Sequence, residues 1–230
     1  MIARRLLLAA LLLVLAPGAF AATLDEKLDE GWRVQRRWTT LAANGSFVYA
    51  FSLKTWNGAG RLKESITREI RLSNRGTTHD WTVLSATKDG KDDTEAARAE
   101  ERRRAAEPET KRKDDLPSPF DPRFRNRYVF AEAPENGAGG ELSFRPGAPF
   151  ENALRGRAFF DGGGALRRVE FTLDRRPAFT KRLDFTVLIA ENGYPETVDT
   201  SGEISLVVWK RKFESRLVVR EIRPGGKESP

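Results

Sequence analysis

The chain is expected to adopt a mainly β fold with minor α. The form expected is an antiparallel curled sheet of about eleven strands, with an N-terminal helix and a charged helical insertion. Three observations predict it. Apolar and polar residues alternate through most of the 230 residues. The alternating runs are joined mostly by short turns carrying Gly, Asn or Asp, which connect antiparallel neighbours. Only two stretches, one near the start and one in the middle, lack period two and favour helix. A long meander curls as it grows, and its apolar face needs covering.

The first twenty-one residues read as a cleavable export signal. Arg4 and Arg5 supply the positive start, Leu6 to Leu15 the apolar run, and Ala19-Phe20-Ala21 the small-x-small cleavage pattern. A run of about ten residues is too short to span a bilayer, which takes about 20. The mature chain is expected to begin near Ala22 and to be soluble in the periplasm. It would form one domain over 22–230, with an insertion at 88–124 and a loose tail at 225–230.

Thr23 to Gly31 is charged, with Leu24 and Leu28 four apart, which suits a short amphipathic helix stopped by Gly31. Trp32, Val34 and Trp38 then start the alternation. Asn44-Gly45 reads as a hairpin turn before Phe47, Tyr49, Phe51 and Leu53, the cleanest period-two run of this half. After the Asn57-Gly58-Ala59-Gly60 turn, Ile66, Ile70 and Leu72 continue the pattern, and Trp81 and Val83 mark a fourth strand. Asp92 to Glu107 is almost entirely Ala, Glu, Arg and Asp, an exposed helix laced with pairs such as Glu100 with Arg104. Lys111 to Pro122 is a charged, Pro-rich connector.

Alternation resumes at Tyr128-Phe130, Leu142-Phe144 and Ala158-Phe160. Asp161-Gly162-Gly163-Gly164 turns the chain into Val169, Phe171 and Leu173. Leu183, Phe185, Val187 and Ile189 repeat the scheme up to Asn192-Gly193. Tyr194 to Thr200 is a short strand that Pro195 places at an edge. Ile204, Leu206 and Val208, then Phe213, Leu217, Val219 and Ile222, complete the meander.

Composition limits the chemistry. The chain is +7 with a pI near 9.8 and has no Cys and one His, His79. Disulfides, thiol chemistry and His/Cys metal sites are excluded. No cofactor is implied. Asp92-Asp93 and Asp114-Asp115 lack the spaced ligands and the Gly of a calcium loop, and Gly162-Gly163-Gly164 lacks the helix of a phosphate loop. No Gly-x-Ser-x-Gly elbow occurs, and His79 reads as a turn residue at a strand start. The chain is therefore read as a non-enzyme. An exported basic protein meets anionic lipid or an acidic protein face rather than nucleic acid.

The hairpin Gly156-x-Ala158-x-x-Asp161 followed by Gly164-x-Leu166-x-x-x-Glu170 resembles one common in the LolA/LolB-like family, the outer-membrane lipoprotein-sorting-like periplasmic proteins with an unclosed β-barrel. Lys88-Asp89-Gly90-Lys91, leading into the charged helix, also fits that pattern. So does the order of signal, helix, four-strand meander, helical insertion and longer meander. The resemblance implies binding of lipid, or of the acyl chains of a lipidated protein, in the concave face, and lipoprotein trafficking to the outer membrane. The same fold serves RseB/MucB-type envelope-stress sensors, which implies the alternative of a sensor or scaffold binding an envelope protein through a basic rim. Paired carboxylates acting on a polysaccharide form a third reading.

The cavity candidates are Phe47, Tyr49, Phe51, Trp81, Phe130, Phe144, Phe171 and Phe185, which are core residues if the concavity is filled. The candidates for an anionic surface are Arg167, Arg168, Arg175, Arg176, Lys181, Arg182, Lys210, Arg211 and Lys212. These basic clusters sit at or near strand ends, several along one rim, and would also discourage edge-to-edge pairing.

Overall fold

The computed structural model describes residues 22–75, 78–105, 117–133, 140–206 and 209–225. The leader at 1–21, residues 106–116 of the insertion and the tail from 226 onward lie outside them. The elements run α1 (Leu24–Asn44), β1 (Ser46–Asn57), β2 (Leu62–Arg75), β3 (Thr78–Lys88), β4 (Lys91–Asp92) and α2 (Thr94–Ala105). A 3-10 turn at Arg125–Arg127 then leads into β5 (Tyr128–Glu132), β6 (Glu141–Pro146), β7 (Leu154–Phe160), β8 (Leu166–Leu173), β9 (Thr180–Ile189), β10 (Pro195–Leu206) and β11 (Trp209–Arg223).

All eleven strands form one antiparallel, unclosed sheet in the order β4-β3-β2-β1-β11-β10-β9-β8-β7-β6-β5. The join between the two meanders is β1 against β11, which runs from Ser46↔Arg223 to Asn57↔Arg211. One edge, β4, is two exposed charged residues, too short to template another chain. Pro195 opens β10 as its first residue, a position that costs no ladder bond. The Tyr194–Thr200 segment is thus interior, between β9 and β11, and not the edge expected.

The helix α1 corrects three expectations. Gly31 does not stop it, Trp32, Val34 and Trp38 are helical, and Asn44-Gly45 is a helix exit rather than a hairpin. Leu24, Leu28, Gly31, Trp38 and Leu41 follow helical spacing, and that stripe, not period two, decides the segment. Thr23 starts the helix with a capping box. Its hydroxyl accepts from the Glu26 N–H at 3.3 Å, and the Glu26 carboxylate accepts from the Thr23 N–H at 2.7 Å. Gly45 closes it by donating to Leu41 O at 2.8 Å. Gly31 is tolerated mid-helix because Phe120 packs on it; a Cβ there would lie 2.3 Å from the ring.

One face of the sheet wraps α1. Lys27 Nζ donates to Glu132 of β5 at 2.8 Å, while Ala42 O accepts from Asn74 of β2. Those strands would stand about 38 Å apart in a flat sheet. The helix between the two contacts is only about 22 Å long. Both contacts form because the sheet curls. Its inner face and α1 bury Leu28, Val34, Leu142, Ala158, Phe160, Leu166 and Ile189 together with Phe120 at one end of the helix, and Leu41, Phe47, Leu72 and Val219 at the other.

The insertion is attached rather than free. Ala97 of α2 is buried against Ile70, Val83 and Ala86, and Arg98 Nε donates to Val83 O at 3.1 Å. Glu100 pairs with Arg68 of β2 at 2.6 Å, and the side chain of Arg104, the partner expected along the helix, lies outside the described residues. The described part of the expected 111–122 connector, 117–122, carries Phe120 into the core. Asp121, 1% exposed, fixes its bend by accepting from the Arg123 N–H at 2.9 Å and from its guanidinium at 2.6 Å.

Two measurements test this packing. Gly31→Val forces Phe120 out of its seat and should lower the unfolding free energy by about 2 kcal/mol in a urea melt. The hydrogen bond from Arg123 holds the Asp121 carboxyl below its ordinary value, against the opposing effect of burial. Stability from such a group is present above its unfolded value, about 3.9, and is lost as pH falls through the folded value. Asp121→Asn should therefore melt below wild type at pH 7, and the gap should narrow as the pH is lowered from about 3.9 through the folded value.

Candidate functional site

Register assigns the inner face strand by strand. Phe51 of β1 stands opposite Leu217 of β11, which stands opposite Val198 of β10, then Val187 of β9 and Val169 of β8. One layer further from α1, Leu53, Ser215, Thr200, Phe185 and Phe171 form the next row. The intervening residues face outward and are polar. There Arg216 bridges both carboxylate oxygens of Asp199 at 2.7 and 3.0 Å, and Arg157 meets Glu170 at 2.8 Å.

The helix α1 crosses only the end of the sheet where β1 begins and β8 and β10 begin. At the other end the middle strands have no helix over them among the described residues. Phe51, Leu53, Leu183, Phe185, Val198 and Phe213 remain partly exposed there and lie outside the four buried clusters. They make an apolar trough across β1, β11, β10 and β9. Phe171 and Phe185 stack at 4.9 Å and 11° on its β8–β9 side. Phe213 lies flat on Gly202, where a Cβ would come within 2.3 Å of the ring. Thr55, opposite Phe213, is buried, and its hydroxyl has no partner among the described residues.

Two walls flank the trough. On one side α2 is clamped by Arg68, which reaches Glu100 at 2.6 Å and Glu101 at 3.5 Å. On the other, Tyr128, Phe144, Phe150, Ala153 and Leu154 form a closed cluster beside Phe124. The Tyr128 hydroxyl donates to Pro117 O at 2.5 Å and accepts from the Leu154 N–H at 3.2 Å; burial pushes its ionisation up.

The eight aromatic candidates divide accordingly. Phe47 and Phe144 are 4% and 3% exposed and are packed shut. Tyr49 packs beside Trp38 and Phe47 under α1, and Phe130 joins the clusters on the far wall. Trp81 is exposed on β3, edge-on to Tyr49 at 6.3 Å. Phe51, Phe171 and Phe185 face the trough. Leu53, Leu183, Val198 and Phe213 join them, and strict alternation along their strands was the signal that could have added them.

The nine cations divide too. Arg175, Arg176, Lys181, Arg182, Lys210, Arg211 and Lys212 lie where β8 ends and β9 and β11 begin, at the mouth of the trough. Arg167 and Arg168 lie at the opposite end of β8. There Arg167 holds Asp161 at 2.7 Å, and the guanidinium of Arg168 sits 4.0 Å from the Phe159 ring centre. His79 falls within β3, its side chain outside the described residues. Among the described residues no group of three His, Cys, Asp or Glu side chains could hold a metal ion, and no helix is long and apolar enough to cross a membrane.

No family model and no curated protein matches the chain. Among solved structures, a LolA superfamily protein from Nitrosomonas europaea is similar at 9% identity, covering 86% of this chain and 94% of that one with a TM-score of 0.30. The MucA/MucB complex of Pseudomonas aeruginosa follows at 12% identity, 85% and 99% coverage and a TM-score of 0.23. A second structure of MucB, in complex with MucA(peri), has 12% identity, the same coverages and a TM-score of 0.21.

The orphan hydroxyl supplies a test of the trough floor. Thr55→Val keeps the shape and removes an unsatisfied buried group, so it should raise stability by about 1 kcal/mol, read as a higher urea midpoint.

Proposed function

We propose that this is an exported protein that binds lipid, or the acyl chain of a lipidated protein, in the part of its inner face that α1 leaves uncovered. Its place would be in lipoprotein traffic to the outer membrane, with no covalent chemistry. The observation carrying the reading is the row of partly exposed apolar side chains across four neighbouring strands, from Phe51 and Leu53 to Leu183 and Phe185. A sheet that needed only a solid core would have that row covered. Burying an acyl chain yields about 0.8 kcal/mol per methylene. About ten methylenes thus supply about 8 kcal/mol, the free energy of micromolar binding before the cost of ordering the chain is subtracted.

A second reading rests on the seven cations at the trough mouth: a sensor or scaffold that holds an envelope protein there, with the trough playing no part. The two differ in what the protein carries. Native mass spectrometry of protein from a periplasmic extract, followed by lipid extraction, should show bound lipid, and a fluorescent fatty acid should be taken up. Protein that is free of lipid and indifferent to the fatty acid would sink the lipid reading.

Substitution separates trough from core. Phe51→Asp places a charge on the trough surface, so the protein should fold and lose fatty-acid uptake by about tenfold or more. Leu142→Asp, at a position 0% exposed, should leave the chain unfolded. Should Phe51→Asp unfold the protein as Leu142→Asp does, the row is core and the trough is not a site.

A further inference from the structure

Three of the six large exposed apolar side chains among the described residues stand at one end of the sheet. Leu62 is 53% exposed, Phe179 63% and Trp209 41%. The three stand at one end of the sheet: Leu62 at the start of β2, Phe179 in the β8–β9 loop and Trp209 at the start of β11. These loops touch. A Cβ on Gly58 would lie 3.2 Å from Lys210 Cβ, and Ser205 N donates to Phe179 O at 2.8 Å. They form a continuous ridge along the lip of the trough.

Cations surround these tips. The three segments 54–64, 174–184 and 203–212 hold ten basic and four acidic side chains. Of the four acids, Glu64, Asp184 and Glu203 are each taken by a cation, Lys88, Arg182 and Lys210 respectively. Arg61, Lys63, Arg175 and Arg176 stay exposed, with no ion pair among the described residues. The guanidinium of Arg211 stacks 5.0 Å from the Trp209 ring centre.

Phe179 adds a separate signal. Its φ of 67° lies in the left-handed region, which a bulky residue rarely enters. Strain of this kind persists where a conformation is imposed for use. Here it holds an aromatic ring out in solvent, beside Arg175 and Arg176, where folding alone gains nothing from it.

We propose that this ridge is a docking surface for an anionic lipid bilayer: Leu62, Phe179 and Trp209 enter the headgroup layer and the surrounding cations sit against the phosphates. Aromatic tips favour the interface between water and acyl chains, and each nearby Lys or Arg adds attraction to anionic lipid. Docking there would set the trough mouth on the membrane, so the purpose of the ridge rests on the lipid reading above, while its binding does not.

The test uses protein recovered from the periplasm of expressing cells and vesicles of phosphatidylethanolamine with about a quarter phosphatidylglycerol. Sedimentation should show binding at least about tenfold tighter than to phosphatidylcholine vesicles, falling steeply as salt rises to about 1 M and the Debye length shrinks to about 3 Å. The double variant Phe179→Ser, Trp209→Ser should keep the wild-type melting curve and lose about tenfold or more in binding. Arg175→Glu with Arg176→Glu should lower it through charge alone. Wild-type protein that ignores anionic vesicles, or a double variant that binds as wild type does, overturns the docking surface. Fatty-acid uptake measured without vesicles distinguishes the two proposals. Uptake without vesicle binding removes the ridge and leaves the trough, and vesicle binding without uptake does the reverse.

Discussion

The structure depends on how far one helix reaches. A sheet of eleven strands offers more inner face than a helix of 21 residues can cover. The sheet solves this in part by curling until β5 and β2 both touch α1. Curling shortens the distance across the strands; it does nothing for their length. Strands of 10 to 15 residues in the middle of the sheet extend well past a helix that crosses them at one end. The remaining face is divided between α2, the Phe120–Phe150 side and the open trough. Core, walls and site are thus three answers to one shortage of cover.

The two charged features that look decorative in composition serve this arrangement. Arg68 is an arginine on the inner face, 13% exposed at its side chain, and it persists there because α2 brings Glu100 and Glu101 to it. Lys27 is similarly buried in α1 and is satisfied by Glu132 of the β5 edge. Each ties a covering element to the strand it covers. On the outer face the ion pairs are exposed and contribute little individually. They keep that face polar, so the sheet has one side to bury and one to wet.

Much of the fold was legible as period two. Phe47 to Leu53, Val169 to Leu173 and Leu183 to Ile189 are strands because alternation with β-branched and aromatic residues allows little else. The start of the chain was misread because Trp32, Val34 and Trp38 mimic alternation when taken without Leu28 and Leu41, and because Gly31 looks like a stop until Phe120 is seen lying on it. Phe120 could not be assigned from a proline-rich stretch with no periodicity; its burial is set by tertiary contact. For the site, alternation marked the face but not the boundary of the helix over it, so Phe47 and Phe51 looked alike. Leu62, Phe179 and Trp209 were invisible as a group, since only the strand order brings their loops to one lip.

The pairing of β1 with β11 sets the order in which the protein can come into being. Those strands are the first and last of the sheet in sequence and neighbours at its centre. Until the final strand is in place, the chain holds two unfinished ribbons, each with a long raw border where its partner will dock. Joining them closes nearly the whole polypeptide into a loop, a slow step by its entropy. A newly made molecule therefore passes through a sticky, half-assembled stage in which its bare strand borders favour association with other chains.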